Sequence, residues 1–298
     1  MIRRSTLLVA FAGPAACSAP PPIHPNTAGA PLSLAADAQM VTIPAGQFVA
    51  GSTPEERATA YDDFLATSGK DTAREHAWFD GEDDRHVEHL LAYRIDLMPV
   101  TQSEYAELVL AGGVRAPAID EAAWKAQGLA QDYATVVSRF VWKDNLPPPS
   151  KLDHPVVLVT YDEAAAYCAW RGAQRGEPRR LPTAAEYEKA ARGAEGLAYP
   201  WGNTYDPDKL DSAVKGPGDT IAVGELTTGA SAYGVLGMAG NAFEWTSTPF
   251  SGTKRTVKGS AFEDYGGVGR GAGRHGRTPN LRAPVIGFRC AADAPAPP

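Results

Sequence analysis

Glycine and proline set the terms for this chain. It carries 30 glycines and 25 prolines in 298 residues. Beyond Gly193 they recur at short intervals: Trp201-Gly202-Asn203, Gly216-Pro217-Gly218, Gly237, Gly240, Gly259, then the run from Gly266 to Gly276. Glycine weakens helix and strand interiors, and proline removes a backbone donor. Such a chain is short of the long uninterrupted elements that a helical bundle or a doubly wound sheet requires. Turns and irregular loops should dominate.

Regular structure is signalled where the punctuation relents. Thr101 with Glu104, Thr160 with Glu163 and Thr183 with Glu186 share the spacing of a capping box, in which threonine and a glutamate three residues on satisfy each other's backbone amides. Each is followed by a helical run and a glycine, Gly112, Gly172 or Gly193, that can take the left-handed turn closing a helix. On the third helix Tyr187, Ala190 and Ala191 fall on one face. Short strands are predicted at Met40–Ile43, Val87–Ile95, Val156–Val159 and Thr256–Lys258. The acidic stretch from Thr53 to Arg85, with Glu55, Glu56, Asp62, Asp63, Glu82, Asp83 and Asp84, reads as a solvated surface helix and loop.

Charge excludes one class of partner. With 28 Lys and Arg against 35 Asp and Glu, net charge is −7, and no basic stripe exists to grip a nucleic-acid backbone.

The amino terminus reads as an export signal. Arg3 and Arg4 precede the apolar run Leu7 to Phe11, and Ala15 and Ala16 lead to Cys17. The run is shorter than the roughly 20 residues a spanning helix needs. Residues 1–17 are therefore assigned as a signal peptide, with Cys17 the candidate lipidation site of a bacterial envelope lipoprotein; ordinary cleavage nearby is the alternative. Residues 18–38, rich in Pro and Ala, form a tether, residues 39–293 the domain, and 294–298 a tail. Cys168 and Cys290 remain, an even number in an exported chain, and are expected to form a disulfide, with two buried free thiols as the alternative.

A family pattern runs through the domain in order: Ile43-Pro44-Ala45-Gly46-Gln47-Phe48; Pro99-Val100-Thr101; His154-Pro155-Val156-Val157 through Trp170; Arg180-Leu181-Pro182-Thr183-Ala184-Ala185-Glu186-Tyr187; Tyr199-Pro200-Trp201-Gly202-Asn203; Gly240-Asn241-Ala242-Phe243-Glu244-Trp245; and Gly287-Phe288-Arg289-Cys290. The sequence from Met40 to Asp293 resembles the formylglycine-generating enzymes, or sulfatase-modifying factors. The resemblance implies a loop-rich α+β fold related to C-type lectins, and it pairs Cys168 with Cys290.

The resemblance also exposes a departure. The oxidising members hold copper(I) with two cysteines after a Gly-Ser turn, and soft thiolates suit that ion. Here Gly259-Ser260 is followed by Ala261-Phe262-Glu263-Asp264-Tyr265-Gly266-Gly267-Val268, with no cysteine between Cys168 and Cys290. Glu263 takes the first copper position, and Gly266 or Val268 the second. Copper is not expected, nor is thiol-to-aldehyde oxidation.

Other chemistry has candidates. Glu263, Asp264, Tyr265 and His275 are acid-base or hard-metal residues, and Arg270, Arg274 and Arg277 offer charge to an anionic ligand; the plainer reading is a polar loop paired with itself. His86 and His89 sit at odd spacing on a strand, hence on opposite faces, unsuited to a shared metal. The resemblance implies calcium at Gly240, Ala242 and Glu244, with a side chain missing at Gly237, and a second site near Asp211 and Ser212; hard oxygens suit that ion. Three functions follow as expectations. The first is an exported accessory protein binding a peptide, protein or glycan, touching the membrane only through its anchor. The second is an enzyme of altered oxidative chemistry, as in siderophore-maturation relatives. Formylglycine generation comes last.

Overall fold

The computed structural model describes residues 39–295; the signal segment, Cys17, the tether and residues 296–298 of the tail lie outside them. Within these bounds nine short strands and six α-helices are strung along extensive loop. Strands β1 (Met40–Ile43), β4 (Tyr93–Asp96) and β9 (Ala291–Asp293) form one antiparallel sheet in the order β1-β4-β9, so the two ends of the domain close on each other. Strands β2 (Gly46–Ala50) and β3 (His86–Leu90) make a separate pair. The third sheet runs β7-β6-β5-β8, from β5 (Phe243–Pro249), β6 (Arg255–Lys258), β7 (His275–Arg277) and β8 (Ile286–Gly287).

All three predicted capping boxes are made. They open α3 (Gln102–Leu110), α5 (Tyr161–Arg175) and α6 (Ala184–Arg192). Their closures depart from expectation: Gly193 caps α6 at φ 69° but with ψ −173°, outside the left-handed helical region. Gly172 does not end α5, which runs on to a left-handed Gly176. Gly172 is buried instead, where an added Cβ would lie 2.5 Å from the Glu177 carbonyl oxygen. The glycine permits a close approach rather than a turn.

Two strand predictions are corrected. The run Val87–Ile95 divides into β3 and β4. Val156–Val159 forms no strand, because Leu158 adopts φ 60° and breaks the alternation a strand requires. The run crosses the core irregularly, all four residues sealed, with Val156 N–H donating to the Val100 carbonyl and Leu158 N–H to that of Ala283.

The acidic stretch is the larger surprise. A fourth capping box, Thr53 with Glu56, opens α1 (Pro54–Ser68), and a short α2 (Thr72–Glu75) follows. Rather than standing in solvent, α1 buries Ala60, Tyr61 and Phe64 in the main core. That core also gathers Tyr105 of α3, Tyr167 of α5, Trp245 and Phe288. Tyr105 stacks on Tyr167 at 5.6 Å, and beside them Cys168 and Cys290 are joined in the expected disulfide, both sealed from solvent. A smaller cluster of Ile43, Tyr93, Ile95, Tyr187 and Ala190 sits beneath α6.

Candidate functional site

The loop after β6 carries the positions that matter. Gly259, at φ 82°, turns the chain out of the sheet, and Ser260 Oγ accepts from Gly240 N–H at 2.8 Å, tying this turn to the one before β5. The backbone then folds on Asp264. Its Oδ2 accepts from Ala261 N–H at 2.7 Å, its own N–H returns to the Ala261 carbonyl, and its carbonyl receives Ala213 N–H. Glu263 is thereby turned outward, where Gln131 Nε2 donates to its Oε1 at 2.7 Å.

These two carboxyls differ in character. Asp264 is pushed up to about 7, chiefly by burial; the Ala261 amide and the Arg277 charge pull the other way, while the Glu263 charge adds to the rise. Glu263 is raised above the ordinary carboxylate range by loss of water around its stem, against the bond from Gln131 and the charge of Arg139. Asp264 therefore exchanges a proton near neutrality, as proton transfer requires.

The remaining candidates are less available. His275, on β7, meets the Phe243 ring edge-on at 5.3 Å, and its Nε2 is buried without a hydrogen bond. Burial, with the charges of Arg277 and Lys258, pushes it down to about 3. It is neutral at physiological pH and unsuited to shuttling protons. Arg274 pairs with Asp83 and covers the Phe250 ring at 5.1 Å. Arg270 forms a fork to both oxygens of Glu82, at 2.9 and 3.2 Å, with both side chains buried. The acidic stretch thus supplies the counter-ions of the glycine-rich loop. Tyr265 packs edge-on against Phe64 of α1.

The second copper position is closed. Val268 is 1% exposed and belongs to the main core. Gly266 donates its N–H to Thr67 Oγ1 on α1 at 2.9 Å. At Gly267, φ 84°, an added Cβ would stand 2.2 Å from the Ala60 carbonyl oxygen. A carboxylate at one expected position and either a glycine or a buried valine at the other offer copper(I) no soft ligand.

Glu244 does not fit calcium, contrary to expectation. It is sealed at the start of β5, and both its oxygens are held by Arg289, Nε to Oε2 and Nη2 to Oε1, each at 2.7 Å. The same guanidinium donates to the carbonyls of Leu236 and Gly237, and the Gly240 carbonyl accepts Ala242 N–H. The guanidinium thus reaches the Gly237 carbonyl and stands as the cation of this loop; an ion bound through Glu244 would face that positive charge. Sequence reasoning missed Arg289, although its setting held the signal: a lone charge within Ile286-Gly287-Phe288-Arg289-Cys290-Ala291 demands a buried partner.

Asp211 fits a cation far better. It is 3% exposed, and neither carboxylate oxygen has a hydrogen bond among the described residues. Burial, then the charges of Asp219 and Glu225, push it up to about 7. It lines a cavity of about 30 Å³ with Ile221, Glu225, Gly237 and Asn241. That is room for one small ion or water beside an orphaned carboxylate.

Comparison with known proteins agrees with this architecture. A model described as the sulfatase-modifying factor enzyme 1-like domain matches residues 30–294. An "Inactive C-alpha-formylglycine-generating enzyme 2" from Bos taurus is 31% identical over 260 residues, covering 74% of this chain and 83% of its own length. A formylglycine-generating enzyme from Thermomonospora curvata is 35% identical over 191 residues, covering 51% of this chain and 61% of its own. The solved structure of PvdO from Pseudomonas aeruginosa superposes with a TM-score of 0.64 at 22% identity, over 86% of this chain and 94% of that one, which shows the shared fold. With a sulfatase-modifying-factor model matching residues 30–294 and a relative 31% identical over 74% of its length, this chain belongs to the formylglycine-generating-enzyme family.

Proposed function

We propose that the protein binds an extended peptide or protein segment in the groove beside Glu263 and does not generate formylglycine. The observation that carries this reading is the absence of a thiolate from the loop after Ser260, where Glu263 and either Gly266 or the sealed Val268 stand at the positions that the resemblance gives to copper. A groove of about 650 Å³ is lined by Ile119, Ala123, Gln127, Tyr133, Val141 and Arg282. The segment that walls it also supplies Gln131, which holds Glu263. Its walls mix apolar side chains with Asp120, Gln127, Asn280 and Arg282, groups that can meet the backbone amides and carbonyls of an extended chain. A relative named as an inactive formylglycine-generating enzyme is in keeping with the absence of that activity. Export to the bacterial envelope on a lipid anchor at Cys17 belongs to the same proposal and is supported by the disulfide, a bond of oxidising compartments.

Two assays test it together. Offered a Cys-x-Pro-x-Arg peptide with copper and oxygen, the purified protein should yield no aldehyde; stoichiometric aldehyde would overturn the reading. Panning a random-sequence peptide library should enrich binders. Enrichment that survives both Tyr133→Ala and Glu263→Gln would remove this groove as the site.

A second reading rests on Asp264. A carboxyl titrating near neutrality beside a second carboxyl is suited to acid-base catalysis on the bound chain. A hard dication such as calcium belongs, on this proposal, at Asp211 rather than Glu244. There it would order the 211–241 loops through oxygen ligands, as its chemistry favours.

A further inference from the structure

The glycine-rich loop carries three arginines, and two have their counter-ions. Arg270 is clamped by Glu82 and Arg274 by Asp83. Arg277 has none. Its one hydrogen bond runs from Nη1 to the carbonyl of the preceding residue, Gly276, at 3.1 Å, and no carboxylate lies within ion-pair distance of it among the described residues. It is half-buried, and loss of water acts against its charge, with only the Asp264 carboxyl opposing.

A second cation without an ion pair among the described residues leaves the same face of the sheet. In the β6–β7 ladder Arg255 is the register partner of Arg277, so the two side chains leave the same face of the sheet. Arg255 also lacks an ion pair among the described residues, and its guanidinium lies over the Tyr161 ring at 4.7 Å. Like charges directly opposite each other destabilise a ladder.

We propose that Arg277, flanked by Arg255 and Asp264, forms a subsite for one carboxylate group of the bound peptide, an acidic side chain or its C-terminus. A planar guanidinium matches a carboxylate with two parallel bonds. The other charged groups near Arg277 are accounted for: Lys258 is held by Glu188 at 2.8 Å, Glu263 by Gln131, and His275 is neutral. The neighbouring carboxyls bias the kind of anion: a dianionic phosphate would face Asp264 and Glu263 together, and a single carboxylate less so. The subsite rests on the peptide-groove reading for the rest of its ligand, but its own test needs no peptide.

Arginine Nε–Hε signals are followed by NMR in the purified protein during titration with acetate at constant ionic strength, with acetamide and inorganic phosphate as separate arms. Acetate should give a saturable shift at Arg277, acetamide none, and phosphate no tighter binding than acetate. Arg277→Gln should weaken acetate binding about tenfold or more, the loss of a charge-assisted fork. Arg255→Gln should weaken it less, and Arg274→Gln should leave it unchanged, with melting curves confirming that each variant folds. A shift that does not saturate, that is the same in Arg277→Gln, or that phosphate drives more tightly would overturn the subsite. Library panning that fails while acetate still binds would remove the peptide reading alone.

Discussion

Both oxygens of Glu244 are bonded to the guanidinium of Arg289 at 2.7 Å, and neither side chain has any exposed surface. The pair joins the first residues of β5 to the segment leading into β9, and Arg289 extends it to the Leu236 and Gly237 carbonyls. Two regions 45 residues apart are thereby locked by one ionic contact.

Removing one partner should therefore be costly. Glu244→Ala leaves a buried, uncompensated guanidinium, a loss of about 3 to 5 kcal/mol. Glu263→Ala removes only an exposed bond to Gln131 and should cost about 0.5 kcal/mol or less. Urea denaturation of both variants checks the order, and equal midpoints would show that the buried pair is not structural.

Calcium should act through Asp211. Chelator should lower the melting temperature of wild type, and Asp211→Asn should abolish that response. The same response should persist in Glu263→Gln. A chelator shift of undiminished size in Asp211→Asn would place the ion elsewhere.

Acidity provides a third test. Asp264 is raised from an ordinary carboxyl value to about 7 in the folded protein. The folded state then holds a proton that the unfolded chain has released, so stability falls as pH rises from about 4 to about 7 and levels off above. Asp264→Asn should flatten this slope and be relatively more stable at pH 8. Asp211 contributes with the same sign in chelator, so some slope should remain. Denaturation midpoints across this range in wild type and variant would decide it, and parallel curves would count against an elevated Asp264.

The disulfide should resist labelling. Cys168 and Cys290 are 122 residues apart in sequence and sealed in the core, so thiol reagents without reductant should modify neither. Closing a loop of this length stabilises by about 4 to 5 kcal/mol in the chain-entropy model. Substituting both cysteines with alanine should lower the urea midpoint accordingly, and an unchanged midpoint would refute that contribution.

What the sequence determined by itself was local or carried by ordered motifs. The three Thr-x-x-Glu boxes placed α3, α5 and α6 because both halves of each cap lie within one turn. The missing thiolates were legible because an absent residue type needs no geometry, and the cysteine pair because only two remained. Tertiary structure decided the rest. Leu158 turns left-handed among neighbours that look like a strand, and Gly172 serves an approach of chain to chain within α5. Glu82, in an acidic stretch that suggested solvent, is buried because Arg270, 188 residues away, needs a counter-ion. The contrast between Glu244 and Asp211 was equally hidden: which carboxylate is neutralised by a guanidinium and which is left without a hydrogen bond depends on where Arg289 reaches. Contacts between residues distant in sequence set the electrostatics of a buried charge, and no local pattern records them.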